Sequence, residues 1–138
     1  MKNKFNEATE QRPDGARPID APIVLINLPS FEDQIKDEPS WKDSDRNAIT
    51  MFKSDKLRLV MVALHKGAVL NPHTAKGMVS IQLLNGRIKF CTDKEKVKMK
   101  KGDLLVLHEE VSHSVEAKEE STILLTLSMT SVVDSLEG

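Results

Sequence analysis

From Arg46 onward, the sequence alternates short apolar runs with turn-forming segments at intervals of about ten residues. The runs are rich in Ile, Val, Leu and Met, and the segments between them supply turn residues. This spacing predicts an all-β barrel or sandwich. Pro72 is the only proline in the region, which favours uninterrupted strands because proline cannot donate a hydrogen bond within a sheet. The runs are NAITMFK, KLRLVMVAL, MVSIQLL, RIKFCT, KVKM, DLLVLH and STILLTLSM.

Alternation within the runs predicts which side chains face the interior, because successive strand residues point to opposite faces. In MVSIQLL, Val79 and Ile81 fall on the apolar face. In RIKFCT, Ile88 and Phe90 fall on the apolar face, which leaves Cys91 on the outer one. We therefore expect Cys91 to be an inert thiol at the surface or an interface, rather than a nucleophile in a pocket.

The first 45 residues follow a different pattern. Residues 1–17 are polar and lack periodicity, which predicts a flexible arm. The segment APIVLINLP at 21–29 is a compact apolar run with prolines near both ends, compatible with a strand. In the segment that follows, we predict that Ser30 caps a short helix and that Pro39 closes it.

With 138 residues and a mass of 15.4 kDa, the chain is long enough for one domain with a substantial core and too short for two ordinary ones. The predicted parts are a flexible arm at 1–17, a strand and short helix at 18–45, a barrel at 46–130 and a tail at 131–138.

Charge and composition exclude some classes of partner. The chain has 20 basic and 21 acidic residues, so no overall field attracts nucleic acid or an anionic membrane. The lysine-rich segment DKEKVKMKKG is typical of the solvent face of a hairpin strand. No apolar run is long enough to span a bilayer, and the first residues lack the apolar core of a signal peptide. We expect a soluble, cytoplasmic protein without a nucleic-acid or membrane partner, and the lone Cys91 fits a reducing compartment.

Two segments carry glycines and histidines at an informative spacing. The first reads Gly67, five residues, His73, Thr74, Ala75, three residues, Val79, six residues and Gly86. The second reads Gly102, five residues, His108, Glu109, Glu110, two residues, His113, three residues and Ala117. This spacing resembles the two motifs of the cupin superfamily of small β-barrels. The resemblance covers residues 46–130 and implies a single-domain, jelly-roll-like cupin barrel.

The resemblance also bears on metal binding. In metal-dependent cupins, two histidines and a glutamate of the first motif, together with the histidine of the second, hold the ion. Here Ala75 and Val79 stand at the positions of the second histidine and the glutamate, so only His73 and His113 remain as metal ligands. A catalytic zinc or iron site normally has about three protein ligands. No cofactor is firmly implied, and a weakly bound divalent ion at these two histidines stays open.

The predicted cavity would be lined by His73, His113, Val79, Ile81 and Phe90. We expect it to bind a small, mostly apolar molecule, whose carboxylate, if it has one, would meet the histidines. Two alternatives stay open. One is an enzyme, either a metal-dependent oxygenase or isomerase of the cupin type or a metal-free acid/base catalyst. The other is a dimeric interaction module with a vestigial pocket.

The resemblance further implies a homodimer, because cupins commonly pair through sheet faces or exchanged terminal strands. PIVLINL at 22–28 is the candidate for such an exchange. The remaining candidate ligands are predicted to lie in turns or at the barrel rim, although a rearranged site that uses them stays open. These are His65, His108, Glu109 and Glu110.

Overall fold

The computed structural model describes residues 3–9, 16–73 and 76–129, with the backbone alone at Pro72 and His73. Neither helix in these ranges is long and apolar enough to cross a membrane. The helices are α1 (Leu28–Asp37) and α2 (Pro39–Asp43). The strands are β1 (Lys4–Asn6), β2 (Arg17–Asp20), β3 (Arg46–Lys53), β4 (Leu57–Leu64), β5 (Val69–His73), β6 (Met78–Asn85), β7 (Arg87–Cys91), β8 (Lys96–Lys100), β9 (Leu104–Leu107), β10 (His113–Ala117) and β11 (Ser121–Ser128).

Two antiparallel sheets pack face to face and form the body of the molecule. One sheet has five strands in the order β3-β4-β11-β6-β9, and the other has four in the order β5-β10-β7-β8. Apart from the β3–β4 and β7–β8 hairpins, neighbouring strands are distant in sequence, as in a jelly roll. The prediction of an all-β fold is confirmed.

The main core lies between these two sheets. Val79, Ile81, Ile88 and Phe90, which alternation placed on the inner face, are all buried there. Residues of β4, β10 and β11 complete the core from both sides. They include Val62, Leu64, Val115, Ala117 and Ile123.

A second apolar cluster lies on the outer side of the five-stranded sheet, where the two helices cover β3 and β4. Ile35 of α1 and Trp41 of α2 pack there with Ile49, Met61 and Ala63 of the strands. Strand β4 is therefore buried on both faces, because its alternate residues enter the main core and this cluster. Two-sided burial explains why LVMVAL is continuously apolar rather than alternating.

A buried polar group also joins the helices to the sheet. The Nδ2 group of Asn47 on β3 donates to the carbonyl of Ile35 and to Oε1 of Glu38, both at 2.9 Å. Its Oδ1 atom accepts from the N–H of Ala48 at 3.0 Å. Gln34 donates to the second oxygen of Glu38 at 3.0 Å. Asn47 thus satisfies polar groups that the helices bring into a buried layer.

The helix boundaries differ from the prediction at one end. The cap of α1 is Asn27, whose Oδ1 accepts from the N–H of Ser30 at 3.0 Å, so the prediction that Ser30 caps the helix is wrong. Pro29 is tolerated in the first turn, where a backbone donor is not needed. The helix ends at Asp37, since the residue before Pro39 is held extended.

The apolar segment at 21–29 does not form a strand, which corrects that interpretation. Residues 23–27 have no regular secondary structure, and α1 already begins at Leu28. Val24 and Ile26 are half-buried, while Ile23 and Leu25 are 87% and 93% exposed. Within the described residues, no backbone hydrogen bond is formed by residues 22–26, so the segment pairs with no neighbouring strand.

The structure places a short strand within residues 1–17, the segment that the sequence predicts as a flexible arm. Lys4–Asn6 forms β1, which pairs antiparallel with β2. Strand β2 lies beside the body of the fold, and the Arg17 guanidinium donates to the carbonyl of Thr50 on β3. The predicted tail at 131–138 lies outside the described residues.

Two strands of the two large sheets are absent from the predicted set, and both carry a motif histidine. Strand β5 contains Asn71 and Pro72, which are poor strand formers, and in β10, which reads HSVEA, only Val115 is a good strand former. Pro72 fits because β5 is the outermost strand of its sheet, where an N–H is not needed on the open side.

Candidate functional site

An apolar cavity of about 250 Å³ lies between the two sheets. Strands of both sheets line it, and most of the lining side chains are aliphatic. Within the described residues, His113 and Lys76 are its only polar side chains. Because Lys76 is exposed, the cavity reaches solvent at that point. The lining residues are Leu70, Lys76, Val79, Ile81, His113, Val115, Ile123, Leu125, Leu127 and Met129.

Three of the predicted site residues meet at this cavity. Val79 and Ile81 line it from β6, and His113 lines it from the facing sheet. Phe90 on β7 is buried but is not among the lining residues. Its ring stacks on the ring of His113, with the centroids 5.5 Å apart and the planes 20° from parallel. Phe90 therefore supports the histidine from behind rather than forming the cavity wall.

His113 is the buried polar group of the cavity, with only 4% of its surface exposed. Its Nδ1 atom lies 3.0 Å from the carbonyl oxygen of Val111. A carbonyl only accepts, so Nδ1 carries the hydrogen, and in the neutral ring Nε2 is the acceptor nitrogen. This hydrogen bond and the stacked Phe90 ring fix the orientation of the imidazole.

The backbone brings the two motif histidines together. His73 at the end of β5 pairs with His113 at the start of β10 in the antiparallel register. The register is irregular just after this pair, between His113 and Val115. The side chain of His73, and the whole of Ala75, lie outside the described residues. The contact of His73 with the cavity therefore stays a prediction.

The other histidines lie away from the cavity. His65 follows β4 and stacks on Trp41 of the helical layer, with the ring centroids 3.4 Å apart. Its Nε2–H donates to the carbonyl of Trp41 at 2.8 Å. His108 follows β9 and is exposed. The adjacent Glu109 and Glu110 are also exposed, so the structure does not bring these carboxylates into the cavity.

The described part of the cavity lacks the donors that a tightly held divalent ion requires. Val79 provides a buried aliphatic surface, and no carboxylate lines the described part of the cavity. No cluster of three or more His, Cys, Asp or Glu side chains suited to a metal occurs in the described ranges. Even with His73 counted, two neutral imidazoles fall short of about three protein ligands and bring no negative charge.

Sequence reasoning missed several residues of the lining. Ile123, Leu125 and Leu127 alternate along β11, so the periodicity that identified Val79 could have identified them. Lys76 gave no such signal, because it belongs to the turn-forming AKG segment. Only the folded chain brings this turn to the cavity.

No protein-family profile and no curated protein matches this sequence. Solved structures, in contrast, match its fold in large number. The cupin domain of Cnp3 from Schizosaccharomyces pombe aligns with a TM-score of 0.67 and 16% identity, over 100% of this chain and 95% of that domain.

Two bacterial structures match over a smaller part of the chain. A cupin superfamily protein from Desulfitobacterium hafniense aligns with a TM-score of 0.60 and 15% identity, over 62% of this chain and 78% of that one. A cupin 2 conserved barrel domain protein from Leptotrichia buccalis aligns with a TM-score of 0.59 and 29% identity, over 62% of this chain and 42% of that one. The predicted cupin-type fold is confirmed.

Proposed function

We propose that this cupin-fold protein binds a small, mostly apolar molecule in the cavity between its sheets. The observation that carries the proposal is an aliphatic lining interrupted, in the described residues, only by a buried imidazole and a lysine at the opening. An apolar pocket with few convergent polar groups is the usual form of a small-molecule site. The volume of about 250 Å³ is just below the usual range and favours a small ligand.

The polar groups of the cavity favour a ligand with one acidic end. The cationic Lys76 at the opening attracts an anion, and a protonated His113 carries a second N–H, at Nε2, beside the Nδ1–H that bonds the carbonyl of Val111. At ~30 Å³ per non-hydrogen atom, as for liquid water, the cavity holds roughly eight such atoms. A straight-chain carboxylate with about six carbon atoms has this size. We propose that His113 contacts the carboxylate and that His73 contributes to the same contact.

A series of straight-chain carboxylates tests the proposal. At about −0.5 kcal/mol per non-hydrogen atom, eight atoms give about −4 kcal/mol, or a Kd near 1 mM. At about 10 mM ligand, this affinity stabilises the fold by ~1.4 kcal/mol and raises Tm by about 5 °C. We expect the shift to peak near six carbons, to fall for twice that length and to be smaller for hexanol.

Two matched variants locate the binding. Val79→Phe fills the cavity and should abolish the shift, whereas Val106→Phe makes the same change on an exposed outer face and should leave it intact. His113→Ala should reduce it strongly. If no carboxylate or alcohol of the series shifts Tm in the wild-type protein, the proposal fails. Stoichiometric zinc, iron, manganese or nickel that disappears in His73→Ala would instead support a metal-dependent enzyme.

We also propose that the protein is a homodimer and acts in the cytoplasm. Support for the dimer comes from residues 22–26, which lack backbone partners in the described structure and expose Ile23 and Leu25. Exchange of this segment between two copies would pair its backbone and cover both side chains. Light scattering should give twice the mass of 15.4 kDa for the wild type and one chain mass for Ile23→Asp/Leu25→Asp. A wild-type monomer at micromolar concentration would contradict this proposal, and cell fractionation tests the location.

A further inference from the structure

The β7–β8 hairpin concentrates positive charge that the chain as a whole lacks. From Arg87 to Lys101 there are seven basic and two acidic residues, a local formal charge of +5, against −1 for the full chain. Basic side chains of both strands also line a surface groove of about 600 Å³. They are Arg87, Lys89, Lys98 and Lys100.

The strand register places like charges side by side. Arg87 lies opposite Lys100, and Lys89 lies opposite Lys98. Like charges directly opposite in an antiparallel pair repel each other and destabilise the sheet. The arrangement would be relieved by negative charge from outside the hairpin.

Nearby carboxylates pair with basic side chains on the β7 side of the hairpin but not with the lysines of β8. Glu119 lies 3.7 Å from Arg87, and Glu116 lies 3.0 Å from Lys118, whose hydrogen bond lowers the pKa of the Glu116 carboxyl. In the described structure, no carboxylate lies within ion-pair distance of the lysines on β8. These lysines are Lys96, Lys98 and Lys100.

The same strand is an open edge of its sheet. Strand β8 is the last strand in the order β5-β10-β7-β8. The N–H of Thr92 donates to the carbonyl of Glu95 at the hairpin turn. Along an antiparallel ladder, hydrogen-bonded residue pairs alternate with pairs that are not hydrogen-bonded to each other. Counted from the bonded pair of Thr92 and Glu95, the backbone N–H and C=O groups of Lys96 and Lys98 point away from β7. The backbone groups of Lys100 also point away from β7, and both of them bond Asp103 outside the sheet.

We propose that β8 is a docking edge for an extended acidic segment of a partner protein, which adds to the sheet as a further strand. Strand addition to an open edge combines backbone hydrogen bonds with side-chain selection at alternate positions. Acidic residues at every second position of the partner would lie opposite Lys96, Lys98 and Lys100, which also occupy every second position. The intervening positions would lie beside the half-buried Val97 and would be apolar.

Two other occupants fit less well. A second copy of the same edge would place lysine against lysine, and lysines on an edge normally prevent such pairing. The outward residues of β7 and β8 include no aromatic ring on which a nucleic-acid base could stack. Contacts with phosphate would also leave the open backbone groups of Lys96 and Lys98 unused.

A pair of labelled peptides tests the proposal by fluorescence anisotropy. One repeats Glu-Val, and the other has the same composition with its glutamates and valines in separate blocks. We expect the alternating peptide to bind about tenfold more tightly, because only this order matches the lysine spacing. Lys96→Gln/Lys98→Gln should weaken its binding about tenfold. Lys42→Gln/Lys66→Gln removes two exposed charges from other parts of the molecule and should leave it nearly unchanged.

Two measurements separate strand addition from simple charge attraction. Lys98→Pro removes an outward N–H without breaking the β7–β8 ladder, and it should weaken binding more than Lys98→Gln, which removes the same charge, while Tm changes little. In the wild type, hydrogen exchange at the amides of Lys96 and Lys98 should slow when the alternating peptide binds. Equal affinity for the two peptides, or unchanged exchange at saturation, would refute the proposal. Tighter binding of a single- or double-stranded oligonucleotide through the same lysines would replace it with a nucleic-acid site.

Discussion

Replacement of Asn47 by alanine tests how the helical layer is held against the sheet. The change removes three hydrogen bonds from a buried position and leaves the carbonyl of Ile35 without the amide that it accepts from. It also takes one donor from Glu38, which keeps the bond from Gln34. The apolar contacts of the layer are untouched, so the variant isolates the polar connection.

The expected cost follows from the burial of these groups. A buried acceptor left unsatisfied costs about 1–3 kcal/mol, and the loss of a bond to a charged group costs a similar amount. We therefore expect Asn47→Ala to lower the free energy of unfolding by roughly 2–4 kcal/mol, a large share of a typical total of about 5–15 kcal/mol. For a chain of this length, that loss corresponds to a fall in Tm of about 8–16 °C.

Urea and thermal unfolding, followed by circular dichroism, measure this difference. Asn27→Ala is the matched control, because its side chain makes one exposed capping bond and its loss should cost only about 1 kcal/mol. If Asn47→Ala unfolds within about 2 °C of the wild type, the polar connection contributes little. The apolar cluster alone would then hold the helices.

Three further substitutions test other parts of the fold. Gly86 has φ +93°, and an added Cβ would collide with the carbonyl of Glu120 and the hydroxyl of Ser121, so Gly86→Ala should cost more than about 3 kcal/mol. Gly102 has φ +94° but open space around it, so Gly102→Ala should cost only about 1–2 kcal/mol in urea unfolding. Equal costs for Gly86→Ala and Gly102→Ala would contradict the steric argument. Trp41→Ala should cost about 3–5 kcal/mol by urea unfolding, because it removes a large buried side chain from the outer cluster. A cost below about 1 kcal/mol would contradict this.

The parts of the fold that the sequence predicts well are those where one local rule decides the structure. Val79 and Ile81 are buried as alternation requires, since β6 has one face on the main core. Strand β4 was found from its apolar run, but its two-sided burial depends on helices that lie elsewhere in the sequence. The pattern places the helix cap at Ser30, whereas the helix begins one turn earlier, where Asn27 is the cap and accepts from the N–H of Ser30.

The site was predictable only in outline. The spacing of the motifs identified His113, and alternation identified two cavity residues. The hydrogen bond from His113 to Val111 and the stacking of Phe90 depend on how strands from distant parts of the chain pair. Lys76 reaches the cavity from a turn, and turn residues carry no periodicity that could indicate their direction.

The helical layer has a consequence for how this barrel could evolve. A relative that lost the residues before Arg46 would expose a contiguous apolar patch to water, formed by Ile49, Met51, Met61 and Ala63. Such a relative could persist only if polar side chains arose at these positions or if another chain took the place of the helices. The apolar character of the outer face of β3 and β4 is thus a sequence signature of a barrel whose own helices cover that face.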